Sequence, residues 1–252
     1  MNPVVSSVGR KMRCERMERD RAAPTVATRL VRLLQFGDSM FPVGGFTFSC
    51  GVESAIQTGV VSDAATLHAF TRSAVEQAGR GDGIALIAAH RAADAGDLET
   101  LVRVDEEVYA RKLSDETRTM SRRLGKKFTE MGMRVIGAPL LHEWRNCIED
   151  SRTPGCYPVA LAVTFAAQGL PALDAFVVHQ SAVAATILSA ALRLMKVTHV
   201  QTQAILFELN ERTEAAYEIA AAARLCDMSG FAPVIEILAA VHANAHVRLF
   251  MS

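Results

Sequence analysis

The sequence predicts an all-α protein, a single compact helical bundle of about ten helices, on three observations. Apolar residues recur at helical spacing along most of the chain, whereas alternating runs of β-branched and aromatic residues are hard to find. Half of the 252 residues are hydrophobic and 21% are charged, which is enough to bury a substantial core and too apolar for a disordered chain. The breaks between helical segments are short, with no Ser/Pro/Gly-rich linker and no repeat of solenoid period, so one domain over 25–252 is the economical organisation.

The segments follow in order. Residues 1–24 carry Arg10, Lys11, Arg13, Arg16, Arg19 and Arg21 against Glu15, Glu18 and Asp20, without the apolar core of a secretory signal. They read as a disordered basic tail, or as a mis-assigned start ahead of Met12 or Met17. Val26, Leu30, Leu33 and Leu34 mark an apolar helical stripe. Phe41 to Glu53 then joins a proline, glycines and phenylalanines: Pro42 biases Phe41 away from helix, Gly44 and Gly45 permit unusual backbone angles, and Ser49 is placed to cap the next helix. Ser62 and Asp63 cap a helix carrying Leu67, Phe70, Ala74 and Val75, which ends near Gly79. Gly81-Asp82-Gly83 reads as a break before a helix from Ile84 to Ala93, and Gly96-Asp97 starts another through Tyr109. Ser114 to Met133 is charged and amphipathic. Further helices are predicted at Pro139 to Cys147, Pro158 to Gln168, Leu173 to Val197, Val200 to Leu209, Glu211 to Leu225 and Pro233 to Ala245.

Two uncharged or nearly uncharged stretches bear on membrane insertion. Thr153 to Leu173 is interrupted by Pro154, Pro158, Gly169 and Pro171, and Ala175 to Leu192 carries His179, Gln180, Ser181, Thr186 and Ser189. Both read as core helices and not as spans of about 20 predominantly apolar residues. Lys plus Arg equals Asp plus Glu at 27 each, so the strong positive field of a general nucleic-acid binder is missing. Five scattered cysteines without a Cys-x-x-Cys pair argue for a reducing, cytoplasmic setting and against a disulfide scaffold.

The chemistry-bearing motifs are few. Leu124-Gly125-Lys126-Lys127 lacks the glycine lead-in and the hydroxyl of a phosphate loop, and there is no nucleophile elbow, His-Glu-x-x-His pair or dinucleotide fingerprint. The expectation is a protein without enzymatic activity. His242 and His246 share one helix face and are weak candidates for a divalent metal, since only two ligands are visible where closed zinc sites take four. Ser114 to Gly125 packs both charge signs into three turns, a solvated face or a polar docking surface. The apolar end Arg248-Leu249-Phe250-Met251-Ser252 either folds back onto the core or anchors another protein.

Taken together these segments resemble the urease accessory protein UreF family from about Leu30 to Ser252. The resemblance rests on Phe41-Pro42-Val43-Gly44-Gly45-Phe46 with Ser49, Gly51 and Glu53, on Asp82-Gly83, on Glu116-Thr117-Arg118 with Ser121 and Gly125, on Leu192-Arg193-Leu194, and on His242 with Arg248-Leu249-Phe250 and Ser252. The chain departs from the family pattern at Cys50 and Val52, where Gly and Leu are usual, and at Thr198, His199 and Thr202.

The resemblance implies an all-helical co-chaperone that forms a homodimer and has no catalytic residues or cofactor. It implies nickel as the cargo of a complex with UreD (also called UreH) and the GTPase UreG, acting on apo-urease. It also implies that Arg248, Leu249 and Phe250 bind UreD. Phe41, Gly44, Gly45, Phe46 and Glu53, with Glu116 and Arg118, would contribute to the face that receives the GTPase. The competing reading of the residues is a helical small-molecule-binding regulator or enzyme with a buried polar pocket near His179, Gln180 and Arg193. A DNA-binding regulator lacks both net positive charge and a recognition-helix signature.

Overall fold

The structure is a computed structural model that describes residues 24–38, 40–229, 235, 237–238 and 249–250, with Phe46 described by its backbone alone. Among these residues the chain is helical and has no strand. The helices are α1 (Val26–Gly37), α2 (Val52–Gln57), α3 (Ala64–Ala78), α4 (Ile84–Asp94), α5 (Leu98–Ala110) and α6 (Asp115–Ile136). They continue with α7 (Pro139–Glu149), α8 (Tyr157–Ala166), α9 (Ala172–Leu194), α10 (His199–Asn210) and α11 (Thr213–Ala222).

Short polar side chains set most starts. Asp63, Asp97, Ser114 and Thr198 each accept the backbone N–H three residues on, satisfying a donor that the first helical turn leaves unpaired. Pro139 and Pro158 occupy the first turns of α7 and α8, where a missing N–H costs nothing. The predicted last helix, Pro233 to Ala245, is described only at Ile235, Ile237 and Leu238, which are helical; the 1–24 tail apart from Pro24 lies outside the described residues.

Two local expectations are corrected. Ser49 does not cap α2: the helix starts at Val52 behind Gly51, whose φ of 80° only glycine adopts readily, and the Ser49 hydroxyl is buried without a partner among the described residues. Gly81-Asp82-Gly83 is not a break, because Gly79–Gly83 forms one π-helical turn that carries α3 into α4. Gly83 permits this by lacking a Cβ, which would lie 2.5 Å from the Phe176 ring. The Val26, Leu30 and Leu34 stripe of α1 points outward, at 72%, 53% and 69% exposure, while Phe36 takes the core position.

α8 is buried from Pro158 through Phe165 and packs between α4 and α6. α9 lies against α8 and also touches α1, α2, α3, α4 and α10. Its first half, with Phe176 and Val178, joins one apolar cluster, and Ala184, Ile187, Leu188 and Ala191 join a second. By length and composition alone α9 is long and apolar enough to cross a membrane, but more than half of its apolar window is buried within the fold. Within the fold it is the central helix, with Asp174, His179 and Gln180 buried along it. Asp174 takes two charge-assisted hydrogen bonds of 2.6 Å from Arg29, fastening α1 to α9.

α6 crosses the loop before α8 in backbone contact. A Cβ on Gly125 would lie 2.1 Å from the Gly155 carbonyl oxygen. The same loop is held by buried Asp105, which accepts from the Thr153 hydroxyl and from the N–H groups of Gly155 and Cys156. Burial pushes the Asp105 carboxyl up, against three donors that favour its ionised form.

Candidate partner-binding surface

The Gly-rich turn after α1 is anchored by aromatic packing. Phe41 is buried, with its ring centroid 5.0 Å from Phe36 and 5.2 Å from Phe128 of α6. Gly44 adopts φ 82° in open space, and the Thr47 hydroxyl donates to its carbonyl at 2.9 Å. Gly45 lies beside Leu124 of α6, so the turn rests on that helix. Cys50 has φ 50°, a conformation costly for a residue with a side chain.

This geometry delivers Glu53 to the first turn of α2, where it is 2% exposed. Its carboxylate oxygens accept the backbone N–H of Leu249 at 2.8 Å and of Phe250 at 3.2 Å. The Phe250 ring is buried in the cluster of Val52, Leu67 and Leu188, beneath the Arg193 guanidinium at 4.3 Å from the ring centre. Leu249, one residue earlier, is 66% exposed. The tail therefore folds back through Phe250 and presents Leu249 to solvent.

A second polar knot sits at the π-helical turn. Lys112 Nζ donates to both Asp82 oxygens at 2.7 and 2.6 Å, and His179 Nε2 lies 3.8 Å from the same carboxylate. Burial opposes ionisation of Asp82, but Lys112 and His179 outweigh it and hold the carboxyl well below the usual range. The Gln180 amide, oriented to satisfy both of its ends, donates to Val75 O at 2.9 Å and accepts from Gly79 N–H at 3.2 Å, holding the turn against α9. Glu116 is buried at the start of α6. Arg118 Nε donates to the Lys112 carbonyl at 2.8 Å while its guanidinium faces the Tyr109 ring.

The family model for UreF matches residues 61–210 of this chain. Proteins named urease accessory protein UreF from Yersinia pseudotuberculosis serotype IB (strain PB1/+) and from Yersinia enterocolitica serotype O:8 / biotype 1B are each 51% identical to it. Each alignment runs over 224 residues, 89% of this chain and 98% of the relative. The chain belongs to the UreF family. The fold carries the family's sequence markers to defined places: the Phe41 turn and the Glu116-Thr117-Arg118 start meet along α6, and the tail meets Glu53.

Phe41, Glu53, Glu116 and Phe250, all predicted to bind partners, are buried, because each serves to hold the turn, the tail or the start of α6. Leu249 and Gly44 lie at or near the surface. Arg248, His242 and His246 and the Phe46 side chain lie outside the described residues. His179 and Gln180 come together at the π turn, but Arg193 is about 20 Å further along α9 by helical rise, so the three do not form one pocket. Among the described residues no group of three or more His, Cys, Asp or Glu side chains is arranged to hold a metal. Sequence reasoning did not find the Asp82–Lys112 pair or the positive φ of Cys50.

Proposed function

We propose that this chain is a co-chaperone required for urease maturation by nickel insertion, acting as a homodimer in the cytoplasm in a complex with UreD/UreH, the GTPase UreG and apo-urease. The observation that carries this reading beyond family membership is the clipped tail, which buries Phe250 and holds Leu249 outward as a fixed apolar contact. Arg248 and Leu249 form the UreD contact, and buried Phe250 anchors the segment that presents them. The Phe41 to Glu53 turn, with Glu116 and Arg118, shapes the face that receives the GTPase. The buried members of that set act by fixing the backbone and not by touching the partner.

The outward Val26, Leu30 and Leu34 stripe supplies an apolar face of the kind that association covers. Nickel is the cargo, and the chain has neither a resident cofactor nor a reaction of its own. A rigid adaptor lowers the entropic cost of holding a metal-loaded GTPase over its recipient. Purified chain mixed with UreD and UreG should co-elute as one complex. Deleting residues 249–252 should remove UreD binding, and retention of full binding by that truncation would refute the tail assignment.

A further inference from the structure

On α6, Arg122, Arg123, Lys126 and Lys127 are all exposed, while other faces of the helix pack on α7 and α8. The stripe covers about 8 Å of helix by rise per residue, with Asp115 before it and Glu130 after it. Asp115 faces Arg118 at 3.7 Å, and Glu130 is shared by Lys127 at 3.1 Å and Arg134 at 2.8 Å. Arg122, Arg123 and Lys126 have no carboxylate partner among the described residues. Arg122 with Lys126, and Arg123 with Lys127, are like charges at four-residue spacing, which destabilises a helix with nothing over them. The chain as a whole balances 27 cations against 27 anions, so this is a local excess. Tyr109 of α5 orients one end of it: the Arg118 and Arg122 guanidinium carbons lie 5.5 and 5.8 Å from the centre of its ring. Arg118 also donates to the Lys112 carbonyl, whereas Arg122 makes no hydrogen bond among the described residues.

We propose that this stripe docks an acidic segment of the GTPase, one that carries carboxylates at the four-residue spacing of a helix. The inference rests on the GTPase reading above and adds to it the residues and the charge by which that partner is recognised. Gly45 of the Phe41 turn lies beside Leu124, in the middle of the stripe, so the cations continue the face given to the GTPase. A guanidinium takes a carboxylate through two parallel N–H bonds, and Arg122 is held on Tyr109 ready to do so. The carboxylates at either end of the stripe would repel a nucleic-acid backbone running past them. No large apolar side chain is exposed among the four cations to enter a bilayer. Covering the stripe with anions relieves its like-charge pairs and gives an affinity that falls as salt rises.

The test measures binding of purified UreG and, separately, of purified UreD to the full chain at about 50 and about 500 mM salt. Two variants reverse the stripe, Arg122→Glu with Lys126→Glu and Arg123→Glu with Lys127→Glu; all four side chains are exposed, and thermal unfolding checks that each variant folds. Arg103→Glu with Arg212→Glu makes the same charge change at exposed positions elsewhere. Each stripe variant should bind UreG about tenfold more weakly or worse at low salt, with the gap closing at high salt, while the control pair and all UreD affinities stay at the parent's values. UreG affinity unchanged by stripe reversal would overturn the docking stripe and leave the maturation reading standing, and an equal loss in the control pair would overturn it as mere net charge. A parent that binds UreG neither alone nor with UreD would overturn both. A short DNA duplex and vesicles of phosphatidylserine with phosphatidylcholine are the remaining probes. Stripe-dependent binding of either, with UreG affinity unmoved, would give the stripe to that ligand and overturn the proposal.

Discussion

Glu53 and Leu249, 196 positions apart in sequence, are joined by a 2.8 Å hydrogen bond from the Leu249 backbone N–H to a buried carboxylate oxygen. With the neighbouring bond from Phe250, it makes one glutamate the fixing point of the C-terminal segment. Glu53→Ala removes both acceptors and strands two donors. The loss should be about 1.5 to 3 kcal/mol, the range for hydrogen bonds to a charged group. Chemical denaturation measures it, and faster proteolysis at the tail with the helices intact would localise it there.

Gly125 lets α6 lie directly on the loop before α8. Gly125→Ala would place a methyl group 2.1 Å from a backbone oxygen that has no side-chain freedom to yield. A cost of about 1 to 3 kcal/mol or more follows from forced backbone displacement. Gly137→Ala is the control: Gly137 has open space around it, so only its φ of 66° opposes the substitution, and the loss should be smaller. Paired denaturation curves decide the order.

Cys50→Gly should stabilise the chain by about 1 kcal/mol, because the residue leaves a left-handed conformation that disfavours a Cβ. Part of that gain is offset by the greater freedom of glycine in the unfolded chain. The buried thiol, pushed up to about 12 by burial and by Glu116, should resist alkylation at neutral pH until the protein unfolds.

Acid stability should carry the signature of Asp82. Its folded pKa is depressed, mainly by Lys112 and His179 against burial, so its contribution is present above the unfolded value of about 3.9 and is lost as pH falls through the folded value. The wild type should therefore lose stability below about pH 4 more steeply than Asp82→Asn. At neutral pH that variant should be weaker by about 1 to 3 kcal/mol, since Lys112 loses its partner. Equal pH slopes for the two proteins would contradict the assignment.

How far the sequence carried the fold depends on the range of the signal. The starts of α3, α5 and α6 were legible because Asp63, Asp97 and Ser114 act within three residues of the amides that they cap. The Phe41 turn was legible as a specified corner for the same reason. The π-helical turn was not: glycines around Asp82 look like a break, and only the approach of Phe176 from α9 and the bonds from Gln180 make the helix continue. The outward facing of the α1 stripe was not legible, because helical spacing shows that a face is apolar without showing what covers it. The candidate surface was readable as a set of markers, but the roles of Glu53 and Phe250 as clip and anchor depend on a contact between segments about 196 residues apart in sequence.

The central claim is that this chain is needed to load urease with nickel, and the most direct measurement is the nickel content of urease purified from the host with and without its gene. Loss of the gene should leave urease at normal abundance but largely without nickel and inactive, with both restored by the intact gene supplied in trans. Urease with unchanged nickel content and activity in the deletion strain would contradict the account.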